Sequence, residues 1–95
     1  MEKSTIQTLH PTAGKQGRNI SLEKYEALKS AILEVLQHAN PTHDELMEAL
    51  HERLHASFSG NVGWYAETVK LDLEARKIIE RSDRKPIKYC LIKNT

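Results

Sequence analysis

Residues 51–55 read HERLH, two imidazoles one helical turn apart with a carboxylate beside the first. In zinc hydrolases that spacing sets both rings on one helix face to hold the metal, while the glutamate serves as general base. The chemistry also needs a third protein ligand and an open coordination position. No histidine or glycine follows at the spacing of the extended zinc motif, and the nearest later carboxylate, Glu67, lies beyond a turn on another helix. The apolar periodicity sets His51 at the edge of the core and His55 nearer solvent, with Glu52 pointing away. The segment is therefore read as helix surface, with adventitious metal binding by the His51/His55 pair as the weaker alternative. Neither a metal nor a cofactor is expected.

The segment AGKQGR, residues 13–18, suggests a phosphate loop. The Walker arrangement requires another glycine five residues before Gly14, where Leu9 stands, and a Ser or Thr after the lysine, where Gln16 stands. Residues 14–17 also have the outline of the GXXG clamp of KH RNA-binding modules. That clamp joins two helices, and no helix precedes this loop. What is left is a basic arm, either reaching toward nucleic acid or tying back onto the domain. Cys90 is the only cysteine, so an internal disulfide is excluded. Its mostly apolar neighbours suggest a packed thiol in a reducing cytoplasm. No nucleophilic triad is visible; no catalytic residue is assigned, and the chain is read as non-enzymatic.

Ninety-five residues at 39% hydrophobic and 28% charged suit one globular domain with a single modest core. No apolar run approaches a membrane span, and residues 1–20 lack the apolar core of a secretory signal, so no membrane partner is expected. The net charge of +1 is unevenly spread: +2 over residues 1–20, −4 over 21–58, −2 over 59–75 and +5 over 76–95. The ends are basic and the middle is acidic.

The elements that must position these residues follow from periodicity. Residues 1–20 form an extended arm or lightly held strand, and residues 21–95 the folded domain. Ser21 is an N-cap, with Ile20 and Tyr25 forming a hydrophobic staple across it, and Tyr25, Leu28, Ile32, Val35 and Leu36 predict a first helix to about Gln37. Asn40 before Pro41 breaks it. Thr42 and Glu45 make a capping box for a second helix, to about Ser57, with Leu46, Met47, Leu50, Leu54 and Phe58 as its stripe. After the turn at SGNVG, a third helix spans about Val62 to Arg76, with Tyr65, Val69 and Leu73 inward. Lys77 stands where glycine usually ends such a helix, which predicts a strained left-handed lysine. IIERS and IKYCLIK, residues 78–82 and 87–93, are strands around the turn DRKP, and Ile87, Tyr89 and Leu91 share one face.

Three helices followed by a basic β-hairpin describe an α+β winged helix-turn-helix. ETVKLDLEARKIIER resembles the third helix and first wing strand of winged-helix transcription regulators, and YCL resembles their returning strand. More closely, HPTAGKQGRNISLEKYEA and GWYAETVKLDLEAR are similar to a family of small uncharacterised bacterial proteins, a similarity that implies no activity.

Two functions follow. A DNA-binding module, as in a transcriptional regulator, would put the third helix in the major groove of duplex DNA. Arg81, Arg84, Lys85 and Lys88 would then contact backbone phosphates, with Lys70 near the groove and Lys15 and Arg18 as an arm. The third helix argues against this. With Val69 and Leu73 inward, a 100° step places Trp64, Glu67, Leu71 and Glu74 on its outer face and Lys70 at its flank. Two carboxylates and two large apolar groups suit a polyanion poorly. The alternative is a protein-interaction module, binding a partner or a second copy through Trp64, Glu67 and Leu71. Trp64 is left either packed in the core or under the arm, or at a partner contact.

Overall fold

Three capped helices and two short antiparallel hairpins make up the α+β fold of residues 4–92, the part of the chain that the computed structural model describes. In chain order these are β1 (Thr5–Gln7), β2 (Asn19–Ser21), α1 (Leu22–His38), α2 (His43–Leu54), α3 (Val62–Ala75), β3 (Ile79–Arg81) and β4 (Tyr89–Leu91). Each helix begins on the side chain its sequence supplies. The Ser21 hydroxyl accepts from the Lys24 amide at 3.4 Å. Thr42 and Glu45 satisfy each other's backbone amides at 3.3 and 2.9 Å, the reciprocal box expected. This holds the Glu45 carboxyl below its ordinary pKa, chiefly through the bond from the Thr42 amide. The Asn61 side chain accepts from the Trp64 amide at 2.9 Å, a cap the sequence reading passed over.

Three elements differ in extent from expectation, one being β3, which is Ile79–Arg81 rather than residues 78–82. The second helix ends at Leu54 rather than Ser57, because the amides of Ser57 and Phe58 both turn back onto the Leu54 carbonyl. The final strand is three residues, Tyr89–Leu91; its expected last residue, Lys93, lies outside the described residues. Lys77 is left-handed as expected, at φ 63°. Its amide reaches the Glu74 carbonyl at 3.1 Å and that of Ile78 reaches Leu73 at 2.9 Å, a Schellman closure with lysine in the glycine position.

Leu28, Ile32, Leu46, Leu50, Val69 and Leu73, two from each helix, are fully buried, and Ile79 and Tyr89 of the C-terminal hairpin pack against them. Burial of a side chain of this class contributes roughly 1.5–3 kcal/mol, enough to fix the helices around one centre.

Of the two forms expected for the N-terminal segment, an extended arm or a held strand, it takes the second and is a hairpin. Thr5, Ile6 and Gln7 pair with Ser21, Ile20 and Asn19. Beyond them Thr8 is buried, and its hydroxyl both donates to the Arg18 carbonyl (2.9 Å) and accepts from the Arg18 amide (2.7 Å). A Cβ on Gly17 would stand 2.3 Å from the Thr8 carbonyl oxygen, so only glycine fits. That explains the second glycine of AGKQGR without a phosphate.

In the second hairpin Ile79, Glu80 and Arg81 pair with Leu91, Cys90 and Tyr89. The far side of β4 meets the segment before α2: Thr42 bridges Lys88, and the Tyr89 amide donates to the Pro41 carbonyl at 2.9 Å.

A candidate interaction surface around α3

Lys70, expected near a DNA groove, is 2% exposed. Its position toward α2 and β4 turns Nζ inward, where it stands 3.0 Å from the Tyr89 hydroxyl, 3.1 Å from His43 Nδ1 and 3.5 Å from Glu67 Oε1. It also sits over the Tyr89 ring, 4.4 Å from the centroid. Two hydrogen-bond partners and one ion pair engage the buried ammonium, so Lys70 is a tie between α3, α2 and β4 and is turned away from any base edge.

The opposite flank holds a second polar cluster, which the sequence reading missed. Asp72 is fully buried. Its carboxylate accepts from the Tyr25 hydroxyl at 2.5 Å, from Arg76 Nε at 2.9 Å and from the Leu9 amide at 2.8 Å. Burial first, then the bond to Asp72, pushes the Tyr25 pKa well above its ordinary value, while the same carboxylate raises that of Arg76. Asp72 thus pins the N-terminal hairpin to α3 and α1. The available signal was an acid beside the inward Leu73, with an arginine one turn on.

Between these flanks lies the outer face. Trp64 is 46% exposed, which removes core packing as its role; its ring leans edge-on against Tyr65. Glu67 is partly exposed and stands 3.5 Å from His43 Nδ1, and Leu71 is half-buried. Glu74, expected to face solvent, is only 8% exposed, because Arg81 forks onto it at 2.7 and 3.1 Å. That bond raises the Arg81 pKa further. Arg81 is thereby committed to the fold, although about half its side chain remains accessible.

A groove of about 440 Å³ runs beside Leu71 and Glu74. His10–Thr12 of the N-terminal hairpin form one wall; Ile79–Arg81, with Ile92, form the other. The Ile78–Ile92 and Ser82–Lys88 bonds fix the alternation of the C-terminal ladder. The amides and carbonyls of Ile79 and Arg81 therefore point away from β4. Among the described residues nothing pairs with them.

The remaining basic residues are surface groups. Lys15 and Arg18 are exposed on the N-terminal hairpin, and Arg84, Lys85 and Lys88 on the C-terminal one. Among the described residues none of the five makes an ion pair. Cys90 is half-buried, its Sγ 3.8 Å from Glu80 Oε1, and burial followed by that carboxylate raises its pKa away from reactive thiolate.

His51 is exposed rather than at the core's edge, and its ring stacks on His55 at 5.1 Å. The second helix stops at Leu54, so this pair lies at its C-terminal end, with His55 Nδ1 on the His51 carbonyl at 2.9 Å. Among the described residues no group of three or more His, Cys, Asp or Glu is placed to hold a metal ion. Among the described residues no helix is long and apolar enough to cross a membrane.

No curated protein and no solved structure matches the chain. One family model does, over residues 5–89, which takes in the N-terminal hairpin, all three helices and β3 and reaches the first residue of β4. The chain belongs to that family, the family of unknown function DUF6958.

Proposed function

We propose that the domain is a non-enzymatic protein-docking module on a winged-helix frame, which binds a polypeptide through the outer face of α3 and the groove beside it. The order α1, Thr42–Lys88 bridge, α2, α3 and hairpin supports the winged-helix reading. The observation that carries the docking reading is the exposure of Trp64 on a helix whose only cation, Lys70, is turned inward. Base edges are read chiefly by Arg, Lys, Asn or Gln on that face. Here it presents Trp64, Glu67 and Leu71, an apolar pair beside a carboxylate, which suits a protein interface and repels phosphate. The single thiol suits a cytoplasmic setting.

The five cations of the two hairpins that make no ion pair among the described residues favour a second reading, sequence-independent contact with duplex DNA phosphates by a wing and an arm, tested by salt titration.

A photo-crosslinking residue placed at Glu67 in the full chain tests the docking reading in cells, with the same residue at Glu52 as control. A defined protein should cross-link from the first position and not the second. Its affinity for the purified chain should fall at least tenfold, about 1.4 kcal/mol, in Trp64→Ala and in Leu71→Asp with the fold intact. No cross-link at Glu67, or an affinity indifferent to both variants, defeats it.

A further inference from the structure

We infer that the outer edge of β3 takes an extended peptide strand from a partner protein, with a basic side chain opposite Glu80 and apolar side chains on either side of it. The inference rests on the docking reading and names the partner's chemistry. An open strand edge is a template for an extended backbone, because its amides and carbonyls recur at the strand repeat. The outward groups of Ile79 and Arg81 form such a template, and they line a groove rather than a flat surface. Ile79 is only 1% exposed, so its outward amide and carbonyl have little access to water, and among the described residues nothing pairs with them. Pairing with a strand would remove that cost. The opposite wall, His10–Thr12, must swing outward to admit one. That wall is held at its base, by the Leu9–Asp72 and Thr8–Arg18 bonds, and above them by local bonds within the loop.

The chemistry of the occupant follows from the pleat. On the edge side Ile79 and Arg81 exchange hydrogen bonds with an antiparallel newcomer, which leaves Glu80 directly opposite one residue in a close, non-hydrogen-bonded pair. Glu80 is exposed and makes no salt bridge among the described residues, so a Lys or Arg fits there. The residues flanking that cation turn to the other face, above Leu71 and beside Pro11, where apolar side chains fit. A second copy of this chain is a poor occupant: β3 paired with itself about Glu80 would set two carboxylates against each other.

The test selects binders from a phage-displayed random dodecapeptide library on the immobilised full chain, then titrates the synthetic peptides into labelled protein. Enriched sequences should carry a basic residue between apolar ones. The Arg81 amide should exchange at least tenfold more slowly in the complex, and Glu80→Lys, an exposed change, should weaken these peptides at least tenfold and shift selection to an acidic centre. The inference is overturned if no binder emerges, if the Arg81 amide is unchanged by those that do, or if Glu80→Lys has no effect. Binders that respond to Trp64→Ala and leave β3 unperturbed overturn strand addition alone. Loss of the Glu67 cross-link removes the docking reading as well.

Discussion

Lys70 Nζ stands 3.0 Å from the Tyr89 hydroxyl, so the one cation of α3 serves to bind the C-terminal hairpin to the helix before it. Truncation to alanine strips the buried stem from its packing and leaves the Tyr89 hydroxyl without its donor. Lys70→Ala should therefore cost about 2–3 kcal/mol. Lys70→Met keeps the stem's volume and removes the buried charge, and should cost about 1 kcal/mol or less. Urea denaturation of both variants checks this order. Equal losses would mean that the ammonium group, not the packing, carries the effect.

The buried Tyr25–Asp72 pair predicts a loss of stability at alkaline pH. Folded Tyr25 keeps its proton where the unfolded chain has released it, so above pH 10 the unfolded state binds fewer protons and stability falls as pH rises. The contribution is fully present below about pH 10 and fades above it by about 1.4 kcal/mol per unit. Tyr25→Phe should be the less stable protein at neutral pH, by about 1–2 kcal/mol for the lost bond. Its deficit should shrink as pH climbs past 10, because phenylalanine has no proton to hold. Parallel denaturation curves from pH 8 to 11 would show the two proteins converging; a constant gap would contradict the burial argument.

Lys77 ends α3 in the left-handed region at φ 63°, a conformation that costs an L-residue about 1–2 kcal/mol. Glycine removes that strain and returns about 0.4–1 kcal/mol through its freer unfolded chain. Lys77→Gly should accordingly stabilise the domain by about 0.5–1 kcal/mol, a rise in Tm of roughly 2–8 °C at this size. A fall in Tm would mean that the lysine side chain makes contacts worth more than the strain.

Much of this architecture was legible because local signals agreed with one another. Thr42 and Glu45, the break at Pro41 and the Leu28/Ile32 and Leu46/Leu50 stripes each favour the same boundaries. The hairpin after Lys77 was legible for the same reason. The polar groups of α3 were not. Periodicity puts Glu74 on the outer face and Lys70 at its flank and gives Asp72 no role, whereas Lys70, Asp72 and Glu74 are all buried with polar partners. Tyr89 lies 19 residues from Lys70, and Leu9 lies 63 from Asp72. No window along the sequence contains both members of either pair. The sequence leaves the N-terminal segment between arm and held strand for the same reason, since its anchors, Thr8 on Arg18 and Leu9 on Asp72, exist only once the chain has turned back.

The five exposed cations of the two hairpins make the DNA reading quantitative. If Lys15, Arg18, Arg84, Lys85 and Lys88 each displace a counterion from duplex DNA, the logarithm of affinity should fall with that of salt concentration with a slope of about −4 to −5. Arg84→Ala with Lys85→Ala should lower the steepness by about 2 and weaken every duplex sequence alike, since phosphate contacts carry no base information. Both residues are exposed at the hairpin turn, so the double variant should unfold at the same urea concentration as the parent. Lys70→Met should leave the slope unchanged, because its ammonium is spent on Tyr89 and His43. An absence of binding to random duplex DNA at low salt would remove the wing-and-arm reading and leave the face of α3 as the functional surface.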